Sequence, residues 1–331
     1  MTQLFSHLRV SSEYSISQGL LTVDQIVDNA IRNSVPSVAL TDKSNMFGLV
    51  KFFNKCESAG IKPISGSSIR LIFDDDDTSY ELLCLAKTNN GHKNLMKIIS
   101  NAHNNNSFNQ PIIKFNDLIE LKDDIIVISG GKESHIFEYL KSNNTSDASK
   151  RIDDFRNSFG DDFFLDVQLT NRIDEIEYLK NVLPISKEKG IPLIATNDVL
   201  FAERDDFEIH ETKVCINTGK TLNDPNRERL FSEHQYFKSP QEMTELFKDY
   251  DSLINNTNEI SKKCNVSLET KGYFLPEYPV PKKHDFDSFL KEISTKRIES
   301  YTKDFDSGKH SEYLDRLNYE LEQIKTMGFS S

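Results

Sequence analysis

Seven short apolar runs, LFSHLRV, SVALTD, KPISGSSIRLIF, YELLCLAK, DIIVISG, FFLDVQL and PLIATND, recur between residues 4 and 198, most of them separated by amphipathic stretches. This alternation constrains the fold more than any other feature. Strands reached through helices make a mostly parallel sheet, either open and doubly wound or closed into a barrel. The helical patterns fall at 22–34, 47–59, 90–103, 149–158, 173–188 and 206–217. In the first, Val23, Ile26, Val27 and Ala30 share a side, and Thr22 and Gln25 have capping-box spacing. One run departs from the pattern: in IRLIFDDDDTSYELLCLAK two apolar strands flank Asp74 to Asp77, which reads as an antiparallel hairpin with a solvated acidic tip. The Asn101 to Asn109 stretch reads as loop.

The polar residues decide between open sheet and barrel. Three runs end in chemically capable groups: Thr41-Asp42, Ser129-Gly130-Gly131 and Thr196-Asn197-Asp198. Several strand ends converging on one point is what a barrel's carboxyl face provides, whereas an open sheet uses mainly its switch point. The expected fold is therefore an α/β barrel. No GxGxxG or GxxxxGK[ST] occurs, so a phosphate cradle at a helix N-terminus has no motif behind it.

Near residue 239 the pattern changes. Ser239-Pro240 with Glu242 is a capped helix start, and helices are expected at 240–249 and 251–263. GYFLPEYPVPKK, with three prolines, reads as a boundary, giving a domain over 1–270 and a segment over 271–331. That segment holds two charged helical patterns, 285–303 and 311–327, whose thin apolar faces need another surface. The expectation is a piece of a longer polypeptide.

Composition narrows the function. With 52 acidic against 40 basic side chains the net charge is -12, which repels duplex phosphates and argues against a non-specific nucleic-acid binder. Cys56, Cys84, Cys215 and Cys264 form no CxxC pair and read as free thiols of a reducing compartment rather than zinc ligands. There is no signal-peptide pattern and no apolar stretch near 18 residues, so the expectation is a cytoplasmic protein with no membrane role.

Candidate metal ligands are few: His7, Asp42, Asp198 and His210. Together they are the set from which a hydrolytic metal site would have to be built. Against it stand Arg9, two positions from His7 and on the same face of an ideal strand, and Lys43, next to Asp42. A cation among carboxylates supplies by salt bridge the charge a metal would bring, so Arg9 is expected to pair with buried Asp42 or Asp198. A triad of Ser11, His7 and Asp198 lacks a nucleophile elbow and has Arg9 beside its base. His92, His103 and His135 read as exposed.

SHLRVSSEYSISQGL, VALTDKSNMFGLVKFFNKCESAGIKPISGSSI, IPLIATNDVLFAERDDFEIHETKVCINTGKTLNDPNR and GYFLPEYPVP with LNYELEQIKTMGF resemble the N-terminal part of replicative DNA polymerase III alpha subunits, closest to the proteobacterial form. The resemblance implies a polymerase-and-histidinol-phosphatase (PHP) domain, a distorted seven-stranded α/β barrel, over about the first 270 residues, and the opening of the polymerase core beyond it. It also implies a degenerate metal site. Metal-binding members carry histidines where this chain has Arg9 and Ser11, and an acidic residue at Gln18. Their TDHGN motif is TDKSN here, which places Lys43 at the histidine, and the glutamate of their Gly-x-Glu motif corresponds to Ser68. Their Asn-Asp-x-His motif keeps Asn197 and Asp198 but has Leu200, while His210 is retained.

By resemblance, then, this region is a non-catalytic scaffold of a polymerase, with no cofactor of its own, that docks a separate proofreading exonuclease subunit. The parent would synthesise DNA with Mg²⁺ and meet DNA, the sliding clamp and the clamp loader through other regions. The competing reading is an active phosphoesterase or 3'-5' exonuclease using His7, Asp42, Asp198 and His210.

Overall fold

The computed structural model describes residues 4–76, 78–104, 110–268 and 278–331. Asp77 of the acidic run, residues 105–109 of the Asn-rich stretch and residues 269–277, which include the start of the proline-rich strip, lie outside the described residues. The chain divides into two compact units, Met1–Leu268 and Glu269–Ser331.

The first unit contains β1 (Ser37–Leu40), β2 (Lys62–Ile72), β3 (Tyr80–Ala86), β4 (Ile113–Lys114), β5 (Ile125–Ile128), β6 (Phe163–Gln168) and β7 (Leu193–Thr196). Its helices are α1 (Val23–Arg32), α2 (Leu49–Ser58), α3 (Asn89–Asn104), α4 (Phe115–Glu120), α5 (His135–Lys141), α6 (Thr145–Phe159), α7 (Glu175–Lys189), α8 (Phe207–Thr218), α9 (Pro240–Leu246) and α10 (Asp251–Lys263). The sheet runs β1-β2-β3-β5-β6-β7, with β4 paired to β2. Neighbours are parallel except β3, which is antiparallel to both β2 and β5, as the hairpin pattern requires. The capping box at the start of α1 forms, with Gln25 N–H donating to Thr22 Oγ1 and Thr22 N–H to Gln25 Oε1.

The expected first strand is an irregular stave. On one side Ala39 N–H donates to the His7 carbonyl at 2.8 Å and Thr41 N–H to the Val10 carbonyl at 2.9 Å. On the other, Ser11 N–H donates to the Val199 carbonyl at 2.9 Å and Val199 N–H to the Arg9 carbonyl at 3.2 Å. Residues 7–12 thus lie between β1 and the segment that follows β7, joined by isolated bridges rather than a ladder. The result is a curled seven-stranded sheet, incompletely closed.

Side-chain alternation along these strands sets the interior. Leu8, Ala39, Ile64, Leu83, Leu85, Ile126, Ile128, Phe164 and Ile194 form one buried cluster, while their sequence neighbours pack outward under the helices. Below the amino ends of β1 and β2 lies α10, where Lys62 Nζ donates to the Ser261 carbonyl at 2.7 Å and Ser37 Oγ to Ser261 Oγ at 3.1 Å. Towards the carboxyl ends the same alternation carries Ile64 on to Ser68, Phe164 to Asp166 and Ile194 to Thr196. Because β3 runs the other way, Leu85 and Leu83 lead to Glu81.

The acidic tip is solvated at Asp74 and Asp75, as expected, and is also tethered: Asp75 ion-pairs with Arg151 and, at 3.1 Å, with Lys150, while Tyr139 Oη donates to Asp76 Oδ2 at 3.2 Å. Arg151 also lies 3.9 Å over the Phe73 ring. One expectation near the hairpin needs correction. His135, expected in solvent, is buried, because its ring packs against Tyr80 and Phe73 with centroids 3.6 Å and 4.7 Å away. His103 is exposed as expected, whereas His92 is half-buried beside Ser65 Oγ.

The second unit holds α11 (Phe286–Tyr301) and α12 (Ser307–Met327). Asp285 and Asp306 cap their N-termini, and Gly328 ends α12 at φ 73°. No residue within either helix is buried.

Candidate functional site

At the carboxyl end of the interior column the centre is Glu81. Arg9 Nη1 lies 2.8 Å from its Oε1 and Lys43 Nζ 3.0 Å from its Oε2. Burial alone would raise this carboxyl, but Lys43 and Arg9 outweigh burial and hold its pKa at about 2. Gly130 (φ 94°) makes the geometry possible: a Cβ there would stand 2.0 Å from the Glu81 carbonyl oxygen, so a side chain would push the end of β5 off β3.

Behind this pair sits Asp166, with Oδ2 at 3.9 Å from Arg9 Nη2. It accepts from Ser129 Oγ at 2.7 Å, Gly131 N–H at 2.6 Å, Thr196 Oγ1 at 3.1 Å and Gln168 Nε2 at 3.3 Å. Two of the three strand ends singled out in the sequence therefore meet on a carboxylate that is not among the candidate ligands.

Asp42 is satisfied elsewhere. It accepts from Ser12 N–H and Ser12 Oγ, both at 2.7 Å, and from Ser15 Oγ at 2.6 Å. Burial pushes its carboxyl above the usual range, opposed by these serine bonds. The expectation that Arg9 pairs with Asp42 or Asp198 is corrected here: the serine turn already fills the Asp42 oxygens, and β3 delivers a different carboxylate to the guanidinium. Asp198 accepts from Gln235 Nε2 at 2.8 Å and lies 3.9 Å from Arg172 Nη1. Arg172 is anchored in turn by Glu175 at 3.0 Å, Thr170 Oγ1 at 2.9 Å and Gln168 Oε1 at 2.5 Å.

The two retained histidines are packing residues in this geometry. His7 Nε2 donates to the Lys238 carbonyl at 2.8 Å, and its ring sits between Phe5 and Phe237. Burial pulls its pKa down to about 4. His210, on α8, lies between the rings of Phe201 and Phe231, and burial lowers it as well. Lys238 Nζ donates to Asn197 Oδ1 at 3.0 Å and to the His234 carbonyl, and burial depresses its pKa to about 8.

The remaining positions fall around this network. Ser68 ends the interior column of β2, pairs with Lys43 through the backbone and hydrogen-bonds Glu81. Ser11 and Leu200 are buried; Gln18 lies in the turn after the stave. His7, Asp42, Asp198 and His210 each have separate partners, and among the described residues no three His, Cys, Asp or Glu side chains form a group able to hold a metal ion. The Asp42 oxygens are committed to serines, Asp198 Oδ2 to an amide and His7 Nε2 to a carbonyl, while His7 Nδ1 and the His210 ring nitrogens, without hydrogen-bond partners among the described residues, are buried among aromatic rings. This mouth stores balanced charge; it presents no open set of ligands to activate water.

Glu81, Asp166, Arg172, Glu175 and Lys238 are members of the network that the sequence motifs do not single out. For Glu81 and Asp166 a signal exists: each is a carboxylate at an inward position of an otherwise apolar strand. No comparable pattern marks Arg172 or Lys238, which come from irregular segments.

Residues 7–170 match the PHP domain. DNA polymerase III subunit alpha of Pseudomonas aeruginosa is 38% identical over 99% of this chain and 29% of that protein. The subunits of Vibrio cholerae and Escherichia coli K12 are 36% and 37% identical, each over 98% of this chain and 29% of the relative. The chain thus spans less than a third of the length of these relatives. An amidohydrolase structure from Chromobacterium violaceum superposes with a TM-score of 0.46 at 11% identity, over 63% of this chain and 96% of that one, a likeness too slight to bear on the site. The chain is a PHP-domain region, with a degenerate metal site, homologous to proteobacterial DNA polymerase III alpha subunits.

Proposed function

We propose that this region is a non-catalytic PHP module that stabilises the core of a replicative polymerase and docks its proofreading exonuclease subunit. The observation that carries the reading is the pairing of Arg9 and Lys43 with buried Glu81, at positions where the family resemblance puts metal-binding histidines. On this reading His7, Arg9, Ser11, Gln18, Asp42, Lys43, Ser68, Asp198, Leu200 and His210 are former metal-site positions, and the loss is spread so widely that no single reversion restores it. The residues present do not fit a divalent ion, and the site therefore supports no hydrolytic step. The longer protein is proposed to carry out template-directed DNA synthesis with Mg²⁺, a reading supported by the name of its relatives only as far as DNA polymerase, and to reach DNA, clamp and clamp loader through regions beyond this chain.

The test combines three measurements on untagged protein. Elemental analysis should find no stoichiometric Mn, Fe or Zn, and EDTA should leave the melting temperature unchanged. Calorimetry with the exonuclease subunit should show a one-to-one complex. A tightly held divalent ion together with hydrolysis abolished by Asp198→Asn would overturn the non-catalytic reading; absence of binding at micromolar concentrations would overturn the docking part.

A further inference from the structure

Beside the Glu81 network the mouth opens into a cleft of ≈ 500 Å³. Two loops form its lips. The turn after the stave carries Ile16, 77% exposed, and the loop after β1 carries Phe47, 72% exposed. Scattered exposed apolar residues are ordinary on a surface. These two differ because their loops are tied down. Ser15 Oγ donates to Asp42 at 2.6 Å and accepts from Lys43 N–H at 3.0 Å, while Asn45 Nδ2 donates to the Tyr14 carbonyl at 3.1 Å. Phe47 N–H donates to Asn45 Oδ1 at 3.2 Å. The loops also touch: a Cβ on Gly48 would lie 2.7 Å from the Tyr14 ring, so this close approach requires glycine. The loops that carry both apolar side chains are tied down before a partner arrives, which lowers the backbone share of the ordering cost of binding.

The charge of the cleft opposes that of the chain. Lys43, Arg70 and His103 line it, and the carboxylate that joins them, Glu81, is already paired with Arg9 and Lys43. Against a net charge of -12 this is a local basic patch framed by apolar lips. Such a pairing selects an apolar anchor flanked by negative charge: burial of the anchor supplies affinity, and the charges steer encounter and exclude basic competitors.

We propose that this cleft docks an acidic peptide segment of a partner protein, with one large apolar side chain seated between Ile16 and Phe47 and its flanking carboxylates facing Lys43, Arg70 and His103. The proposal rests on the docking reading above and gives it a place and a chemistry. A second copy of this chain and a nucleic acid are outcomes that would count against it.

The test uses the full 331-residue chain. Fluorescence anisotropy compares a labelled hexapeptide Asp-Asp-Leu-Phe-Asp-Asp with its basic counterpart Lys-Lys-Leu-Phe-Lys-Lys and with a labelled single-stranded oligonucleotide. The acidic peptide should bind at least tenfold more tightly than either, and the double variant Ile16→Ser with Phe47→Ser should lose at least tenfold, with unchanged circular dichroism. Equal affinity for the three probes, unchanged binding by the variant, or self-association that the variant abolishes would each overturn the proposal. A parallel titration with the exonuclease subunit separates the two readings. If the subunit binds wild type and variant equally, the cleft is wrong and docking stands. If the acidic peptide binds as expected but the subunit does not bind wild type, the cleft stands and exonuclease docking falls.

Discussion

Replacing Glu81 by glutamine tests the organisation of the barrel mouth most directly. Glutamine keeps the size and removes the charge, which leaves the Arg9 guanidinium, 3% exposed, with Asp166 at 3.9 Å as its nearest remaining counter-ion among the described residues. Lys43 is less affected, because its side chain is 35% exposed and can turn to water. Removing one partner of a buried pair costs about 3–5 kcal/mol. A second route gives a similar size: a carboxyl lowered from 4.5 to about 2 is worth on the order of 3 kcal/mol at neutral pH. The folded-state pKa is depressed, so this contribution is present above 4.5 and is lost as the pH falls from 4.5 towards 2.

The assay must read the barrel apart from the second unit, and the chain contains no tryptophan. Hydrogen exchange in a urea series, followed by mass spectrometry on the peptide that contains β3, does so. Glu81→Gln should lower the opening free energy by about 3 kcal/mol at pH 7 and by about 2 kcal/mol at pH 3.5. Arg9→Met with Glu81→Met should cost less than Glu81→Gln alone, since an apolar pair strands no charge. A loss under about 0.5 kcal/mol at pH 7, within the range of an ordinary surface substitution, or a gap that widens in acid, would refute the reasoning.

Two further outcomes follow from the same geometry. His7, lowered from 6.5 to about 4 by burial, takes up its proton in the unfolded chain first; stability should decline as the pH falls from 6.5 to 4, and His7→Gln should flatten that decline by up to about 3 kcal/mol in the same exchange measurement. A His7→Gln chain with the wild-type pH dependence would show that the ring titrates in the fold. Arg151→Ala should release the acidic tip from α6 and raise the rate of endoprotease cleavage at the Asp74–Asp76 turn severalfold, read by intact-mass analysis, with little change in barrel exchange. Unaltered cleavage would mean that Lys150 and Tyr139 hold the tip unaided.

What is legible in the sequence follows from the length and regularity of each pattern. Strands β1, β2, β3, β5, β6 and β7 announce themselves by apolar runs, and the β2–β3 hairpin by its polar interruption. The stave is legible as a strand, but its bridging by isolated pairs is not, since irregular pairing is set by both neighbours. The two-residue β4 and the short α4 and α5 carry too few residues for a period to show. Convergence of strand ends is readable; the partner of Arg9 is not. That choice depends on β3 entering the sheet backwards, which brings Glu81 to the carboxyl face at the starting end of its strand. A carboxylate at the start of a strand looks peripheral until the strand's direction is known.

On the non-catalytic reading proposed above, the direction of β3 also bears on how the mouth balances its charge. A metal would contribute positive charge only in proportion to its free concentration, so folding would be linked to metal supply. Arg9 and Lys43 contribute theirs as part of the chain, and the linkage moves from metal to protons through the depressed Glu81 carboxyl. The arrangement is not free of cost: Arg9 Nε and Nη2 have no hydrogen-bond partner within the described residues, and burial keeps Asp42 above its usual pKa despite the serine bonds that oppose it. Buried charge of this kind adds little net stability compared with an apolar core. What it adds is position. The serine turn that satisfies Asp42 is the same turn that fixes Ile16, and Lys43 faces both Glu81 and the cleft, so the residues that balance the old mouth also shape the surface beside it.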